Sequence, residues 1–288
     1  MKIRKAVIPA AGLGTRLSPL TDFQPKEMLP VGRKPVLQYV VEELRAAGIE
    51  HILIITTQNK KSIEDYFSSS KFLSGQVFYV HQMIRPGLPY GLAYAIGLAE
   101  GFTDNEPFIV CLGDCIMKSD DLVTADSEPE RTLLQRLVHT HQNHNAAATI
   151  AFEEVALEKV SRYGIAKPCG PVGEDFRLDD IVEKPSREKT PSNLAVAARY
   201  IFEPEIFSHI RQTQVGVGGE LQLTDSIRSL LKSGRPVWGV TLRENEARYD
   251  IGRLTGYFRA FFDFSLADED FGEEFRQYVT KRTNKPID

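Results

Sequence analysis

The chain has 288 residues, 42% apolar and 26% charged, with a formal net charge of −4. This composition excludes wholesale disorder, collagen-like repeats and low complexity, and a mildly acidic chain lacks the broad basic face of a nucleic-acid binder. No apolar stretch approaches the ~20 residues of a membrane span, the basic start runs straight into a strand pattern without a signal-peptide core, and Cys111, Cys115 and Cys169 form neither a disulfide framework nor a zinc site. A cytoplasmic protein is expected.

The first 115 residues alternate strand and helix patterns. Ala6-Val7-Ile8-Pro9-Ala10-Ala11 is an apolar run stopped by Gly12 and reads as a buried strand. Pro35 opens a helical pattern at the favoured first position, with Val36, Tyr39, Val40, Glu43, Leu44 and Ala47 at helical spacing and Gly48 as its cap. Residues 51–56 form a continuous apolar, β-branched run, as when both faces of a sheet are covered. A helix over 61–67, a strand over 76–81, a helix over 91–99 and a strand over 108–112 complete a β-α-β-α-β-α-β order. That order predicts an α/β fold with a mostly parallel sheet, helices on both faces and right-handed crossovers. Ligands then bind beyond the carboxyl ends of the strands, which puts Gly12 to Arg16, Gln82 to Gly91 and Asp114 on one rim.

The second half mixes strands (146–152, 164–167, 178–183, 194–202 and 236–242) with helices near Pro204 and over 224–232. Two further helices, joined near Asp268-Glu269-Asp270, end the chain. Without a Pro/Gly/Ser linker between the halves, 1–288 reads as a single domain. Its expected parts are a nucleotide-binding half (about 1–115), a sugar-phosphate-binding half (about 116–250) and C-terminal helices (about 251–288).

Gly12-Leu13-Gly14-Thr15-Arg16 follows the first strand. Two glycines let the backbone curl so that successive N–H groups can face an anion. The run is neither a Walker A loop nor a dinucleotide fingerprint, since Leu17 stands where the third glycine belongs. By itself it fits plain turn chemistry equally well. Arg16 adds a fork that matches phosphate oxygens. Lys26 shares the same long loop, between Pro25 and Pro30, which restrict its backbone. Asp114 ends a buried strand on the rim, where a carboxylate could hold Mg²⁺, and Asp250 is a candidate partner; a turn-capping Asp is the plainer alternative. In Glu183-Lys184-Pro185 the strand ends at the proline, so Glu183 can accept from sugar hydroxyls while Lys184 meets a phosphate. His139, His141 and His144 match no metal template and read as a solvated helix face. Tyr257, Phe258, Phe261, Phe262 and Phe264 read as core or an oligomer interface.

In order and spacing, these segments resemble the bacterial sugar-1-phosphate nucleotidylyltransferases, over nearly the whole chain. The resemblance is carried by Ala10-Ala11-Gly12-Leu13-Gly14-Thr15-Arg16, Pro25-Lys26-Glu27-Met28-Leu29-Pro30, Gly113-Asp114, Val182-Glu183-Lys184-Pro185, Pro191-Ser192-Asn193-Leu194-Ala195-Val196 and Gly219-Glu220-Leu221-Gln222-Leu223-Thr224-Asp225. The second and last favour the uridylyltransferase branch over thymidylyltransferases. The resemblance implies a Rossmann-like nucleotidyltransferase fold, a mixed sheet flanked by helices with C-terminal helices, and a homo-oligomer (dimer or tetramer). It implies that UTP and glucose 1-phosphate give UDP-glucose and pyrophosphate with Mg²⁺ on Asp114 and Asp250. It implies Arg16 and Lys26 as catalytic cations, with Ala10, Ala11, Gly12, Leu13, Gly14, Thr15, Gln82 and Gly91 on the nucleotide, and Gly164, Glu183, Lys184 and Val196 on the sugar phosphate. Departures from the family pattern fall at Cys115, where many relatives have a second Asp, at Ala93 and Tyr94, and at Ala198 in place of a glycine. Ala93 would put a methyl beside the base, and Ala198 would narrow the sugar side. A thymidylyltransferase, or a non-catalytic paralogue that binds nucleotide sugar, are the competing readings. A nicotinamide dehydrogenase is disfavoured by the missing glycine.

Overall fold

The computed structural model describes residues 2–68, 76–83, 90–119 and 131–283; residues 84–89 of the expected rim lie outside them. In chain order the first half holds β1 (Lys5–Pro9), β2 (Pro30–Val31), β3 (Lys34–Pro35), α1 (Val36–Ala46), β4 (His51–Thr56), α2 (Lys61–Ser68), β5 (Val77–His81), α3 (Leu92–Gly97), α4 (Glu100–Thr103) and β6 (Phe108–Cys111). The second holds β7 (Cys115–Ser119), α5 (Leu133–Asn143), β8 (Ala148–Glu154), β9 (Gly164–Pro168), β10 (Asp175–Glu183), β11 (Leu194–Phe202), α6 (Ile206–Gln212), α7 (Leu223–Lys232), β12 (Val237–Thr241) and β13 (Glu246–Asp250), then α8 (Leu254–Leu266) and α9 (Gly272–Thr283).

A nine-stranded sheet in the order β5-β4-β1-β6-β11-β8-β12-β10-β9 crosses both halves. Its first four strands are mutually parallel, with Val7 opposite both Leu53 and Val110. Side chains alternate across a strand, so β1 and β4 feed two cores at once. Val7, Leu53 and Ile55 pack on one face; Ala6, Ile8, Ile52 and Ile54 pack on the other under α1. This is why residues 51–56 are apolar without alternation. Burying each such side chain contributes about 1.5–3 kcal/mol. Helix α1 turns Leu37, Val40, Val41 and Leu44 inward. Strand β11 runs antiparallel between β6 and β8, and β10 runs antiparallel to both of its neighbours, so the sheet is mixed as expected.

Some elements differ from the sequence reading. Helix α1 starts at Val36, and Pro35, with ψ 147°, closes the β2–β3 hairpin instead. The helix expected over 91–99 is α3, which ends at Gly97, and a separate short helix, α4, follows from Glu100. Strands β7 and β13 were not legible. They pair as a separate antiparallel ribbon with Cys115 opposite Asp250 and Met117 opposite Arg248. His141 is not solvated: it lies buried where α5 meets β8, its Nδ1 3.0 Å from Thr149 Oγ1 and its Nε2 3.2 Å from Glu203. Leu133, Leu137 and His141 follow one another at four-residue spacing, so the ring belongs to the inward face of an otherwise polar helix. His144 stacks on Trp238 with ring centres 3.4 Å apart.

Beneath the ribbon sits Arg199, fully buried on β11. Its guanidinium forks onto Glu43 (2.6–3.1 Å) and donates to the carbonyls of Ala198 (3.0 Å) and Cys115 (2.9 Å). Each of its three nitrogens therefore has a partner, and α1, β11 and the start of β7 are tied to one point. Among the described residues no helix is long and apolar enough to cross a membrane.

Candidate active site

A cleft of about 590 Å³ opens beyond the carboxyl ends of β1, β5 and β6 and continues over β9, β10 and β11. It is lined by Ala11, Gly12, Leu13, Gly14, Thr15, Arg16, Lys26, Gln82, Gly91, Asp114, Gly164, Glu183, Lys184, Val196 and Asp250. Of the sequence-derived site residues Ala10 alone is not on its wall. The Ala10 amide donates to Ile55 (2.7 Å) and its carbonyl accepts from Lys60 (2.6 Å), so its backbone is already spent.

The glycine loop turns at Gly14, whose φ of 72° favours glycine, and Thr21 Oγ1 donates to the Gly14 carbonyl at 2.8 Å. Arg16 follows in a single 3₁₀ turn, exposed and without an ion pair among the described residues. Gln82, at the end of β5, is 7% exposed, and its side-chain amide has no hydrogen-bond partner among the described residues. Gly91 packs where a Cβ would meet Leu221 O at 2.6 Å, which excludes any side chain there.

Lys26 forms a short ion pair with Asp114 Oδ2 in the middle of the cleft. Burial works against its ammonium, but Asp114 and Glu27, helped by Asp250, outweigh that and hold it well above the ordinary lysine range. Burial likewise disfavours the Asp114 carboxylate, and Lys26 outweighs it, keeping Asp114 below the usual range. Asp250 reaches the same place through the ribbon: the Ile251 amide donates to the Asp114 carbonyl at 3.2 Å, and the Gly252 amide donates to Asp250 Oδ1 at 2.9 Å. A Cβ at Gly252 would lie 3.0 Å from Asp250 Oδ1 and 3.7 Å from Asp114 Oδ2, so both carboxylates face one point.

At the far end, Glu183 Oε2 accepts from Thr224 Oγ1 at 2.7 Å, and Oε1 lies 3.0 Å from Lys184 Nζ. Lys184 takes φ 45°, a left-handed conformation that turns the chain as β10 ends. A Cβ on Gly164 would sit 2.9 Å from Thr224 Oγ1 and 3.4 Å from Glu183 Oε2; the glycine is what leaves room for that pair.

A glycine loop, a part-buried cation and two carboxylates thus share one cleft with a separate carboxylate–lysine pair, an arrangement that can hold phosphate oxygens at more than one place. The nucleotidyl transferase family model matches residues 5–265. The chain belongs to the nucleotidyl transferase family. It is 40% identical over 306 residues to a UTP–glucose-1-phosphate uridylyltransferase, YngB, of Bacillus subtilis (strain 168), covering 99% of this chain and 98% of the relative. Among solved structures it is similar to a UDP-glucose pyrophosphorylase complexed with UDP-glucose (TM-score 0.81, 36% identity, 93% of this chain and all of that one). It is also similar to a UTP-bound pyrophosphorylase of the same kind from Acinetobacter baumannii (TM-score 0.84, 30% identity, 97% and 99%).

In this nucleotidyl transferase the departures from the family pattern fall differently than expected. Ala93 is fully buried in the core beneath the sheet, and neither it nor Tyr94 lines the cleft; Leu92 and Ala95 do. Its methyl therefore stays clear of a base in the cleft. Cys115 does lie on the cleft wall. Burial pushes its thiol up to about 12, against Arg248 and Arg199, so it stays neutral and adds no charge beside Asp114. Ala198 carries φ 61° at the irregularity where β11 leaves β8, strained for a residue with a Cβ.

Several site residues escaped the sequence reading: Lys60, Thr224, Tyr163 and Arg248. Arg248 pairs with Glu153 and lies 4.7 Å over the Tyr163 ring. Thr224 stands in Gly219-Glu220-Leu221-Gln222-Leu223-Thr224-Asp225, the segment that favours the uridylyltransferase branch.

Proposed function

We propose that this nucleotidyl transferase joins UTP to glucose 1-phosphate, giving UDP-glucose and releasing pyrophosphate. The observation that carries the reading is the Lys26–Asp114 pair, with Asp250, in one cleft with the glycine loop and Glu183–Lys184. The uridylyltransferase relatives support the choice of substrates.

A phosphate oxygen of glucose 1-phosphate attacks the α-phosphorus of UTP. The bond from that phosphorus to the bridging oxygen breaks, and pyrophosphate leaves with its electron pair. No protein nucleophile is needed, so catalysis is positioning plus charge stabilisation. Arg16 and the amides of Gly12, Leu13, Gly14 and Thr15 hold the β- and γ-phosphates. Lys26 serves the α-phosphate, where charge moves toward the leaving group, and screens the two anions from each other. Gln82 offers one donor and one acceptor to the uracil edge, with Ala11 and Gly91 as backbone neighbours. Glu183, held by Thr224, accepts from glucose hydroxyls; Lys184 takes the sugar phosphate, and Gly164 and Val196 flank the sugar. Ala10 acts only through its hold on the loop.

The two carboxylates facing one point suit Mg²⁺, a hard cation that takes one or two carboxylates and leaves its other positions to phosphate and water. Asp114 and Asp250 would hold it, and the ion would supply positive charge to phosphate oxygens. The continuous sheet supports reading the chain as one domain. Phe258 (59% exposed), Phe261 and Phe262 on α8, with Phe271 and Tyr278 beside them, support self-association as a dimer or tetramer.

A screen of nucleotides against sugar 1-phosphates, following pyrophosphate with and without Mg²⁺, tests the proposal. UTP with glucose 1-phosphate should give the fastest turnover. Turnover no better than with dTTP would overturn the assignment, and UDP-glucose binding without turnover would favour a non-catalytic role.

A further inference from the structure

Lys60 ends the short 3₁₀ turn after β4, next to Lys61, which is exposed. The two lysines look alike in sequence and differ completely in place. The Lys60 side chain is 9% exposed, and its ammonium donates to Ala10 O (2.6 Å), Gly12 O (2.7 Å) and Glu27 Oε2 (2.8 Å). An ammonium has three N–H groups, and all three are taken. Glu27, the third partner, is 1% exposed and sits beside Lys26. The pair is shut away from solvent: burial lowers the Lys60 ammonium and raises the Glu27 carboxyl, each opposed by the other's charge.

The two carbonyls matter because of what lies across the peptide plane. The Ala10–Ala11 and Gly12–Leu13 bonds are trans. In a trans peptide the N–H points opposite to the C=O. Turning both carbonyls back onto Lys60 therefore turns the Ala11 and Leu13 N–H groups the other way. Ala11 and Leu13 both line the cleft, and neither amide has a hydrogen-bond partner among the described residues. Ala11 is 6% exposed, and a buried N–H without a partner is costly unless a ligand supplies one.

We infer that Lys60 is a positioning residue of the nucleotide end: by gripping the Ala10 and Gly12 carbonyls it aims the Ala11 and Leu13 amides at the bound nucleotide. This rests on the reading of that end as the UTP site. Because Glu27 neutralises Lys60, its contribution is orientation and not added positive charge. Removing it should affect UTP and spare glucose 1-phosphate.

The test pairs Lys60→Met with Glu27→Gln, so that no lone carboxylate is left buried. UTP binding is measured by calorimetry, the KM for glucose 1-phosphate at saturating UTP, and the melting temperature. UTP affinity should fall by roughly 10- to 100-fold, the scale of losing charge-assisted hydrogen bonds, while the KM for glucose 1-phosphate stays within about twofold. Equal losses for both substrates with a lowered melting temperature would mean a purely structural role and overturn the inference. Arg16→Ala is the parallel variant. If it weakens UTP binding while the Lys60 variant does not, the positioning role falls and the nucleotide site stands; if neither weakens it, the site reading falls and the role with it. A measurement on the unaltered chain covers the case in which the double variant does not fold. With alanine and leucine amides labelled with nitrogen-15, the Ala11 and Leu13 amide protons should shift downfield on adding UTP, and unmoved signals overturn the inference.

Discussion

At the end of the cleft proposed to take the nucleotide, the lining groups are loop amides and cations set beyond parallel strands; at the end proposed to take the sugar phosphate they are Glu183 and Lys184 where β10 ends, with Gly164 of β9 and Val196 of β11 beside them. The first arrangement sets each carboxylate against a lysine, Glu27 with Lys60 shut away from solvent and Asp114 with Lys26 on the cleft wall. The second presents its carboxylate, Glu183, and fixes it with a hydroxyl from Thr224. The difference follows the chemistry of what each end must hold. Phosphate oxygens are alike and accept from any amide, so backbone geometry suffices. Sugar hydroxyls differ in direction, so an oriented acceptor is required.

The largest effect should come from the centre of the cleft. Lys26→Ala should lower kcat/KM by about 2.7–4 kcal/mol, the scale of removing one preorganised charge-stabilising donor. Steady-state kinetics of pyrophosphate release check this, and near-wild-type values would remove Lys26 from its role. Glu183→Gln should separate the two ends. It should raise the KM for glucose 1-phosphate by an amount corresponding to about 1.5–3 kcal/mol, the range for a hydrogen bond to a charged group, and leave UTP affinity unchanged by calorimetry. A loss at UTP instead would mean that the ends are not independent.

The sequence carried the two ends unequally. The nucleotide end was legible because strand, glycine turn and rim follow one another locally along residues 6–16, and because the first four strands obey the parallel α/β pattern. Lys60 was not, since nothing in Gln58-Asn59-Lys60-Lys61 distinguishes the buried lysine from the exposed one. Asp114 and Asp250 were both named, but the reason they meet is the β7–β13 ribbon. Its charged residues, Lys118 and Arg248 among them, break the apolar pattern by which a strand is recognised. Arg199 is not legible, because a charged residue within an apolar strand shows its partners only when α1 is folded against it.

Smaller effects test the strain and charge built into this site. Ala198→Gly should stabilise the fold by about 0.5–1 kcal/mol, since a left-handed conformation costs alanine more than glycine loses in chain entropy. Chemical denaturation checks the sign, and a loss of stability would show that the methyl packs better than it strains. A pH-gated effect should accompany Asp114. Its carboxyl is held below its unfolded value, so it contributes stability above about pH 4 that is lost as pH falls through the lower folded value. Melting temperatures from pH 6 down to about pH 3 should therefore fall more steeply for the wild type than for Asp114→Asn.

The ribbon also has a consequence for how the protein is born. Asp114 emerges from the ribosome well before Asp250, and only the pairing of Cys115 with Asp250 brings the two carboxylates to one point. A nascent chain that stops short of β13 lacks the strand that pairs with Cys115 and holds only half of the acidic pair. On the role proposed for that pair, a chain truncated before Asp250 should bind nucleotide poorly and turn over nothing.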